Sequence, residues 1–235
     1  MKKHISRLAD AELPREKEDF RKTFQWRIFR IMAEFVEGFN FVADFKKSVT
    51  VFGSTMLKED NPYYQNARKF GELMSKEGYM IVTGGGPGIM EAANRGAYES
   101  GGDSVGINIR FVGGERANPY LKKSIGFYYF FVRKVMLSFS ASGYVFFPGG
   151  FGTLDEFFEI VTLIQTKRLP KNVLVVAVGK DYWGPLFDWI KSSLVEKNKT
   201  LSPKALDIFK LVDTPEEAVA LVKRNSNNKI FDSAE

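Results

Sequence analysis

Three times in this sequence a short apolar run ends in a glycine-bearing turn, and a helical pattern follows the turn. The runs lie at 48–52, 79–82 and 144–147, and their turns carry Gly53, Gly84 to Gly88, and Gly149 to Gly152. Further apolar runs, at 104–108, 173–178 and 209–212, also alternate with helical patterns. Strands that alternate with helices predict an α/β fold, a doubly wound parallel sheet with helices on both faces.

The alternating pattern predicts one α/β domain at 47–224, preceded by an N-terminal helical extension at 1–46 and followed by a flexible tail at 225–235. In the extension, apolar residues recur every three or four positions from Phe20 to Val42, as in an amphipathic helix that breaks near Gly38. Such a face packs on its own domain more often than it binds a partner. A subunit interface is the alternative.

The composition excludes several kinds of chemistry. The chain has no cysteine and a single histidine, His4. Disulfides, thiolate metal sites, cysteine nucleophiles and Ser–His–Asp catalysis are therefore not expected, and we predict that the protein uses no metal and no cofactor. The longest apolar runs fall far short of the ~20 residues of a membrane-spanning helix. The first residues also lack the apolar stretch of a secretory signal, so we expect a cytoplasmic protein with no membrane partner.

The charge balance is basic, with 34 Lys and Arg against 28 Asp and Glu, a net charge of +6. These basic residues are scattered, and the chain contains no run of five or six like charges. We therefore predict no nucleic-acid partner. A site for a phosphorylated small molecule, or solubility alone, would also explain the excess.

The three glycine-bearing turns indicate an anion site. In an open parallel sheet, ligands bind beyond the carboxyl ends of the strands, where all three turns are expected to lie. Glycine lets backbone amides approach an anion, and the following helix adds positive potential. The dinucleotide fingerprint is not matched, because Ile89 and Asp155 occupy the positions of its last glycine,. The P-loop pattern is not matched either, because no Gly-Lys pair is followed by Ser or Thr,. A nucleotide or phosphate site of another kind is predicted.

The third turn, at 148–156, reads Pro-Gly-Gly-Phe-Gly-Thr-Leu-Asp-Glu and allows two interpretations. Thr153 and Glu156 have the spacing of a helix capping box, in which both side chains satisfy backbone donors. Alternatively, the turn holds a phosphate and Glu156 addresses the attached sugar. Three glycines in four positions favour the second interpretation. The phosphate ligands would then be the amides of Gly149, Gly150, Gly152 and Thr153.

A cation is expected opposite Glu156, and Arg133 and Lys134 are the candidates. They belong to a helical segment that precedes the strand at 144–147. Arg133 stands among aromatic and aliphatic residues, where an unpaired guanidinium would be costly to desolvate. For either side chain the alternative is that its stem packs on apolar surface while its charged end reaches solvent.

Three segments together resemble the LOG (Lonely Guy) family, whose older label is "possible lysine decarboxylase". They are Gly-Gly-Gly-Pro-Gly-Ile-Met at 84–90, the Arg133-Lys134 pair with Met136, and the turn at 148–156. The resemblance covers roughly 49–224. It implies a Rossmann-like fold, commonly dimeric, so we expect a homodimer or a higher homo-oligomer.

The resemblance also implies an activity: hydrolysis of the N-glycosidic bond of a nucleoside 5′-monophosphate, AMP or a cytokinin riboside 5′-monophosphate, to the free base and ribose 5-phosphate. The catalytic pair would be Arg133 and Glu156. Base-facing residues are expected among Met90, Asn94 and Met136. The full set of predicted substrate-binding residues is Ser54, Gly85, Gly86, Met90, Lys134, Gly149, Gly150, Gly152 and Thr153.

Two other functions are compatible with the sequence. The protein could be a non-catalytic carrier of a nucleotide or of molybdenum cofactor, because Rossmann-like proteins also use such turns for binding alone. It could bind single-stranded DNA, although the scattered charge speaks against that. Lysine decarboxylation itself finds little support, since Lys134 is only a formal candidate for the Schiff base that pyridoxal phosphate requires.

Overall fold

The computed structural model describes residues 24–45, 47–110, 117–141, 143–170 and 172–232, with side chains to residue 225. The first element is helix α1 (Phe24–Val42). The strands are β1 (Ser48–Phe52), β2 (Met80–Thr83), β3 (Ser104–Ile109), β4 (Lys123–Phe127), β5 (Gly143–Phe146), β6 (Leu174–Val178) and β7 (Phe209–Val212). The remaining α-helices are α2 (Pro62–Lys76), α3 (Ile89–Glu99), α4 (Phe130–Phe139), α5 (Phe151–Gln165), α6 (Lys180–Trp189) and α7 (Pro215–Asp232). A π-helix (Ile190–Lys197) continues α6, and a 3₁₀-helix (Pro203–Ile208) precedes β7.

In the described part of the chain, seven strands form one parallel sheet in the order β4-β3-β2-β1-β5-β6-β7. This confirms the predicted α/β class. The strands from β1 to β4 are added on one side of β1, and the chain then returns so that β5 pairs with its other side. Val49 of β1 faces Ile81, and Val51 faces Val145. The order therefore reverses between β1 and β5, the position at which doubly wound sheets bind ligands.

Each face of the sheet carries its own apolar core. Successive side chains of a strand point to opposite faces, so Val145 of β5 packs with α2, α3 and α7 while Phe146 packs with α4, α5 and α6. On the second face, Trp183 stands beside Phe146 and Phe157 in an aromatic cluster. Because both faces are covered, the central strands are apolar throughout, as is typical of parallel sheets.

Strand β4 is an element that the sequence pattern did not predict. It is an edge strand that pairs only with β3, and Lys123 and Ser124 at its start are exposed. A strand of this kind has no continuous apolar run, because only part of it is buried. The other strand boundaries differ from the prediction by a residue at most.

Two helices also differ from the prediction. Helix α1 continues through Gly38 without the expected break, and its residues before Phe24 lie outside the described part of the chain. The helical pattern after the strand at 173–178 predicts one helix from Trp183 to Leu194, whereas α6 begins at Lys180 and its extension is π-helical. Neither difference alters the order of the elements.

The segment Thr214-Pro215-Glu216-Glu217 has the spacing of a capping box, and the last helix begins with one,. The Thr214 hydroxyl accepts a hydrogen bond from the Glu217 amide (3.2 Å), and the Glu217 carboxylate accepts one from the Thr214 amide (3.2 Å). The helical backbone continues to Asp232, and the flexible tail at 225–235 stays a prediction. No helix in the described ranges is both long and apolar enough to span a bilayer.

Helices α2 and α3 approach so closely at Gly96 that a side chain there would collide with the facing backbone. A Cβ built on Gly96 lies 1.9 Å from the Arg68 carbonyl oxygen. We predict that Gly96→Ala lowers the free energy of unfolding by about 1–3 kcal/mol, because the two helices must move apart. Chemical denaturation monitored by circular dichroism measures this change.

Gly184, within α6, is the matched control, since a Cβ there meets nothing within 4 Å. Gly184→Ala should leave the stability unchanged or raise it by up to about 1 kcal/mol, because alanine restricts the unfolded chain. Equal stability of Gly96→Ala and the wild type would show that the helix pair adjusts without cost.

Candidate active site

The three glycine-bearing turns meet beyond the carboxyl ends of β1, β2 and β5. The Ser54 amide donates a hydrogen bond to the Pro148 carbonyl (2.9 Å), which ties the turn after β1 to the turn after β5. The Ile89 amide donates to the Ser54 carbonyl (2.9 Å), which ties the start of α3 to the same turn. The sheet topology thus brings together segments that are about a hundred residues apart in sequence.

A cavity of about 660 Å³ opens where the turns meet. Eight of the sequence-predicted residues line it: Ser54, Gly86, Met90, Arg133, Gly150, Gly152, Thr153 and Glu156. The sequence did not single out the apolar part of the wall, which includes Phe52, Met56, Ile109, Phe130 and Leu137. No motif marks these residues, because they come from separate elements: Phe52 ends β1, Ile109 ends β3, Phe130 and Leu137 belong to α4, and Met56 lies in the turn after β1.

Three of the predicted substrate-binding residues do not line the cavity. Gly85 lies behind the second turn, where its carbonyl accepts from the amide nitrogen (2.9 Å) and the side chain (3.1 Å) of Asn118. The Gly149 carbonyl accepts from the Tyr182 hydroxyl (2.5 Å). Lys134 turns to the outer side of α5, and its role is described below.

Two of the three expected base-facing residues are also absent from the cavity wall. Asn94 is fully buried, where its side chain accepts from the Thr83 hydroxyl (2.6 Å) and donates to the Ser104 hydroxyl (2.8 Å). Met136 is fully buried beneath α1. Among the three, only Met90 lines the cavity.

The start of α5 differs from the capping-box interpretation. The helix begins at Phe151 with Gly150 as its N-cap, and no side chain caps it. Thr153 and Glu156 are therefore inside the helix, so they cannot form a capping box with each other. The Thr153 amide donates to the Gly150 carbonyl (3.0 Å). The preceding amides are at the end of the helix where no intrahelical acceptor is available, and the helix dipole favours an anion there.

Glu156 is a buried carboxyl group at the cavity wall. Only 6% of its surface is exposed, and its Oε2 atom has no hydrogen-bond partner among the described residues. Burial raises the pKa of this carboxyl to about 7; Glu159 and Asp155 act in the same direction, whereas Lys134 and Arg133 oppose them. Near neutral pH the group can therefore both hold and release a proton.

Arg133, in the first turns of α4, lies across the ends of two strands. Its Nε donates to the Ile107 carbonyl of β3 (2.8 Å), and its Nη2 lies 3.4 Å from the Gly84 carbonyl after β2. A Cβ at Gly84 would come within 2.2 Å of Nη2, so the guanidinium occupies the space that a side chain would take. These contacts fix a half-buried positive charge in the same cavity wall as Glu156.

Lys134 is held on the far side of α5 by two carboxylates. Its Nζ lies 2.6 Å from Asp155 and 2.8 Å from Glu159, and the Lys134 side chain is 17% exposed. The sequence places Glu159 one turn beyond Glu156 and predicts a solvated surface glutamate, whereas the structure buries it partly in this ion pair. Lys134 acts on Glu156 through space, because its positive charge favours the ionised carboxylate.

We predict that the stability of the protein depends on pH through Glu156. Its pKa is raised from 4.5 to about 7 in the folded protein, so it contributes stability below pH 4.5 that is lost as the pH rises through 7. One pKa unit corresponds to about 1.4 kcal/mol, and the full effect is on the order of 3 kcal/mol. Glu156→Gln removes this titration, so its melting temperature should rise relative to the wild type between pH 4.5 and pH 8.

Glu216→Gln, at an exposed position of α7, serves as the control. Its melting temperature should differ from that of the wild type by the same amount at every pH. If the difference in melting temperature between Glu156→Gln and the wild type is also constant from pH 4.5 to pH 8, the pKa of the Glu156 carboxyl is not raised. Differential scanning fluorimetry in a series of buffers provides the measurement.

Comparison with known proteins agrees with this arrangement. The family model described as possible lysine decarboxylase matches residues 90–222, more than half of the chain. The chain is also similar to a cytokinin riboside 5′-monophosphate phosphoribohydrolase of Rhodococcoides fascians. The two are 29% identical over 153 residues, which cover 64% of this chain and 77% of the relative.

Two solved structures share the fold. One is a structural-genomics X-ray structure, 26% identical, with a TM-score of 0.58 over 76% of this chain and 99% of that one. The other is the molybdenum cofactor binding protein of Rippkaea orientalis, 20% identical, with a TM-score of 0.58 over 76% of this chain and 96% of that one. At 20% identity the second similarity concerns the fold alone.

Proposed function

The chain belongs to the LOG family, and from this membership and its site we propose that it hydrolyses the N-glycosidic bond of a nucleoside 5′-monophosphate. The products would be the free base and ribose 5-phosphate. The observation that carries the proposal is the buried carboxyl of Glu156, whose Oε2 has no hydrogen-bond partner among the described residues and which shares one cavity wall with Arg133 and the start of α5. A relative's name, cytokinin riboside 5′-monophosphate phosphoribohydrolase, supports the same reaction.

We propose that the start of α5 binds the phosphate. Gly150 and Gly152 line the cavity there, together with the Thr153 side chain. Amides at a helix start suit a phosphate because they are unpaired donors at the positive end of the dipole. Anchoring the phosphate at this point would use binding energy remote from the reacting bond to position the sugar.

Glu156 would act on the sugar, one turn further along α5. As the bond between C1′ and the base nitrogen breaks, its electron pair leaves with the base and positive charge develops on the ribose ring. An ionised Glu156 stabilises that charge and orients a water molecule, whose oxygen bonds to C1′ while its proton passes to the carboxylate. Arg133 would bind the ribose phosphate portion and offset negative charge on the departing base. The base would take up one proton from solvent to become the free base, and Glu156 would return the proton of the attacking water to solvent.

After the phosphate and the sugar, the third part of the proposed ligand is the base, and the apolar wall of the cavity suits it. Met56, Met90, Ile109, Phe130 and Leu137 offer contacts to a flat, weakly polar ring. AMP and cytokinin riboside 5′-monophosphates would both present such a ring. A nucleotide substrate of this kind is also in keeping with a cytoplasmic protein.

Decarboxylation of lysine, which the older family label suggests, is not supported by the site. None of the described residues that line the cavity is a lysine. Lys134, the formal candidate for a Schiff base, is held by Asp155 and Glu159 on the other side of α5. The amine that such chemistry requires is therefore engaged elsewhere.

We predict that the protein releases free adenine and ribose 5-phosphate from AMP. Arg133→Ala and Glu156→Gln should each lower kcat/KM by at least about 100-fold, because each removes a charge expected at the transition state. Chromatography of the released base measures the reaction, and GMP, CMP and a prenylated AMP in parallel define the base preference.

Arg168→Ala, at an exposed position after α5, is the control and should retain full activity. Full turnover by both Arg133→Ala and Glu156→Gln would overturn the assignment of these residues. Tight binding of AMP without release of base would instead favour the alternative function, a carrier of a nucleotide or of molybdenum cofactor.

We also propose that the protein assembles as a homodimer or a larger homo-oligomer, with the outer face of α1 as the contact. Phe29, Met32 and Val36 are 64%, 57% and 61% exposed on one side of this helix, and Phe139 of α4 adds to the same surface. An apolar surface of this extent is typical of an interface. A second copy of the chain would present the same surface in return.

The outer face of α1 can be tested with the double variant Met32→Lys, Val36→Lys. We predict that it elutes as a monomer while the wild type does not, because two lysine charges would have to be buried in the contact. Light scattering after size-exclusion chromatography measures the molar mass. A wild-type monomer, or an oligomer unaffected by the two lysines, would contradict the proposed contact.

A further inference from the structure

Helix α1 lies outside the segment that the family model matches, yet it contacts the helix that carries Arg133. Glu34, in the middle of α1, is only 9% exposed. Its Oε1 accepts a hydrogen bond from the Tyr128 amide (2.8 Å), and its Oε2 accepts one from the Tyr129 amide (3.0 Å). The two carboxylate oxygens of this buried side chain thus accept hydrogen bonds from two consecutive backbone amides.

These two amides stand at the start of α4. Tyr129 is the N-cap residue of that helix, and its own side chain makes no capping bond. The amides at the start of a helix need an acceptor from elsewhere, and a negative charge is favoured there by the dipole. Glu34 therefore supplies from α1 the cap that the sequence of α4 lacks.

A second contact fixes how α1 lies on α4. A Cβ built on Gly38 would come 2.5 Å from the Met136 sulfur and 3.1 Å from the Phe127 ring. Gly38 follows Glu34 by one turn and faces the same side of α1. The backbone of α1 therefore touches α4 at Gly38, and the Glu34 side chain caps α4 one turn earlier. Together the two contacts set the separation and the rotation of the two helices.

The capped turn leads directly to Arg133. The Arg133 amide donates to the Tyr129 carbonyl (3.2 Å), so the arginine backbone is one turn from the capped residues. Arg30 of α1 also stacks on the Tyr128 ring at 4.3 Å from its centroid. The Arg133 Nε donates a hydrogen bond to the Ile107 carbonyl. A shift of the capped turn moves the Arg133 side chain relative to Ile107 and therefore changes this bond.

We infer that Glu34 is a positioning residue for Arg133, and that α1 is a structural requirement of the candidate active site. The effect of Glu34 on catalysis rests on the proposed function. The effect of Glu34 on the position of Arg133 does not. Displacements of about 1 Å in a positioned group reduce enzyme rates by as much as about 100-fold. Loss of the cap should therefore weaken nucleotide binding and turnover although Glu34 does not line the cavity.

A crystal structure of Glu34→Ala tests the geometry without any ligand. We expect the Arg133 Nε to Ile107 oxygen distance to increase from 2.8 Å to beyond about 3.5 Å, where no hydrogen bond remains. An unchanged distance would overturn the inference. If Glu34→Ala does not fold, Glu34→Gln replaces it, because glutamine keeps one acceptor and should show a smaller displacement of the same kind.

Titration calorimetry with AMP then tests the consequence for binding, in a Glu156→Gln background where hydrolysis is blocked. We expect Glu34→Ala to raise the dissociation constant about tenfold and Glu34→Gln to raise it less. Partial unfolding would lower the stoichiometry and leave the dissociation constant unchanged. Glu37→Gln, at an exposed position of the same helix, is the matched control and should bind as the parent does.

The effect of Glu34 must also pass through Arg133. In a chain that already carries Arg133→Ala, the further change Glu34→Ala should alter the dissociation constant by less than about twofold. A tenfold additional loss there would overturn the inference. If the wild type neither binds AMP nor releases its base, the proposed function fails, and the crystal structure alone decides whether Glu34 positions Arg133.

Discussion

The pairing of β1 with β5 is the constraint on which the candidate site depends. These strands are neighbours in the sheet although about ninety residues separate them in sequence. Their register places the turn at Ser54 against Pro148, and the hydrogen bond between these residues ties the two turns together beside the cavity. Because all strands are parallel, every helix that follows a strand begins at the same edge of the sheet. The positive ends of α3 and α5 therefore converge at that edge.

The burial of Glu156 gives the candidate site a carboxyl group with a raised pKa. A carboxyl group with little solvent and an unpartnered oxygen is less stable as an anion, so it titrates near neutral pH,. The opposing charges are arranged around it at different depths. Arg133 lies in the cavity wall, whereas Lys134 stands behind α5 in an ion pair with Asp155 and Glu159. The same helix thus presents one carboxyl to the cavity and two to a structural lysine.

The sequence pattern was sufficient for most of the fold, for a physical reason. The central strands are covered on both faces, so they read as continuous apolar runs, and the helices carry apolar residues every three or four positions. Strand β4 was not predicted, because an edge strand with exposed Lys123 and Ser124 has no continuous apolar run. The break expected at Gly38 did not occur either. Glycine is there because α1 must lie close to Met136, which the sequence of α1 alone does not reveal.

The sequence by itself determined the order of the elements apart from β4, the three glycine-bearing turns, and the choice of Arg133 and Glu156 as candidate charged residues of the site. Backbone periodicity and motif spacing are local properties, and they can be read along the chain. The tertiary structure decided which side chains face the cavity. It turned Lys134 away, buried Asn94 in a polar network and brought Phe130 and Leu137 into the wall. It also joined Glu34 to the start of α4, more than ninety residues away in sequence. A buried carboxylate and buried backbone amides need hydrogen-bond partners, and here only the packing of α1 on α4 brings them together.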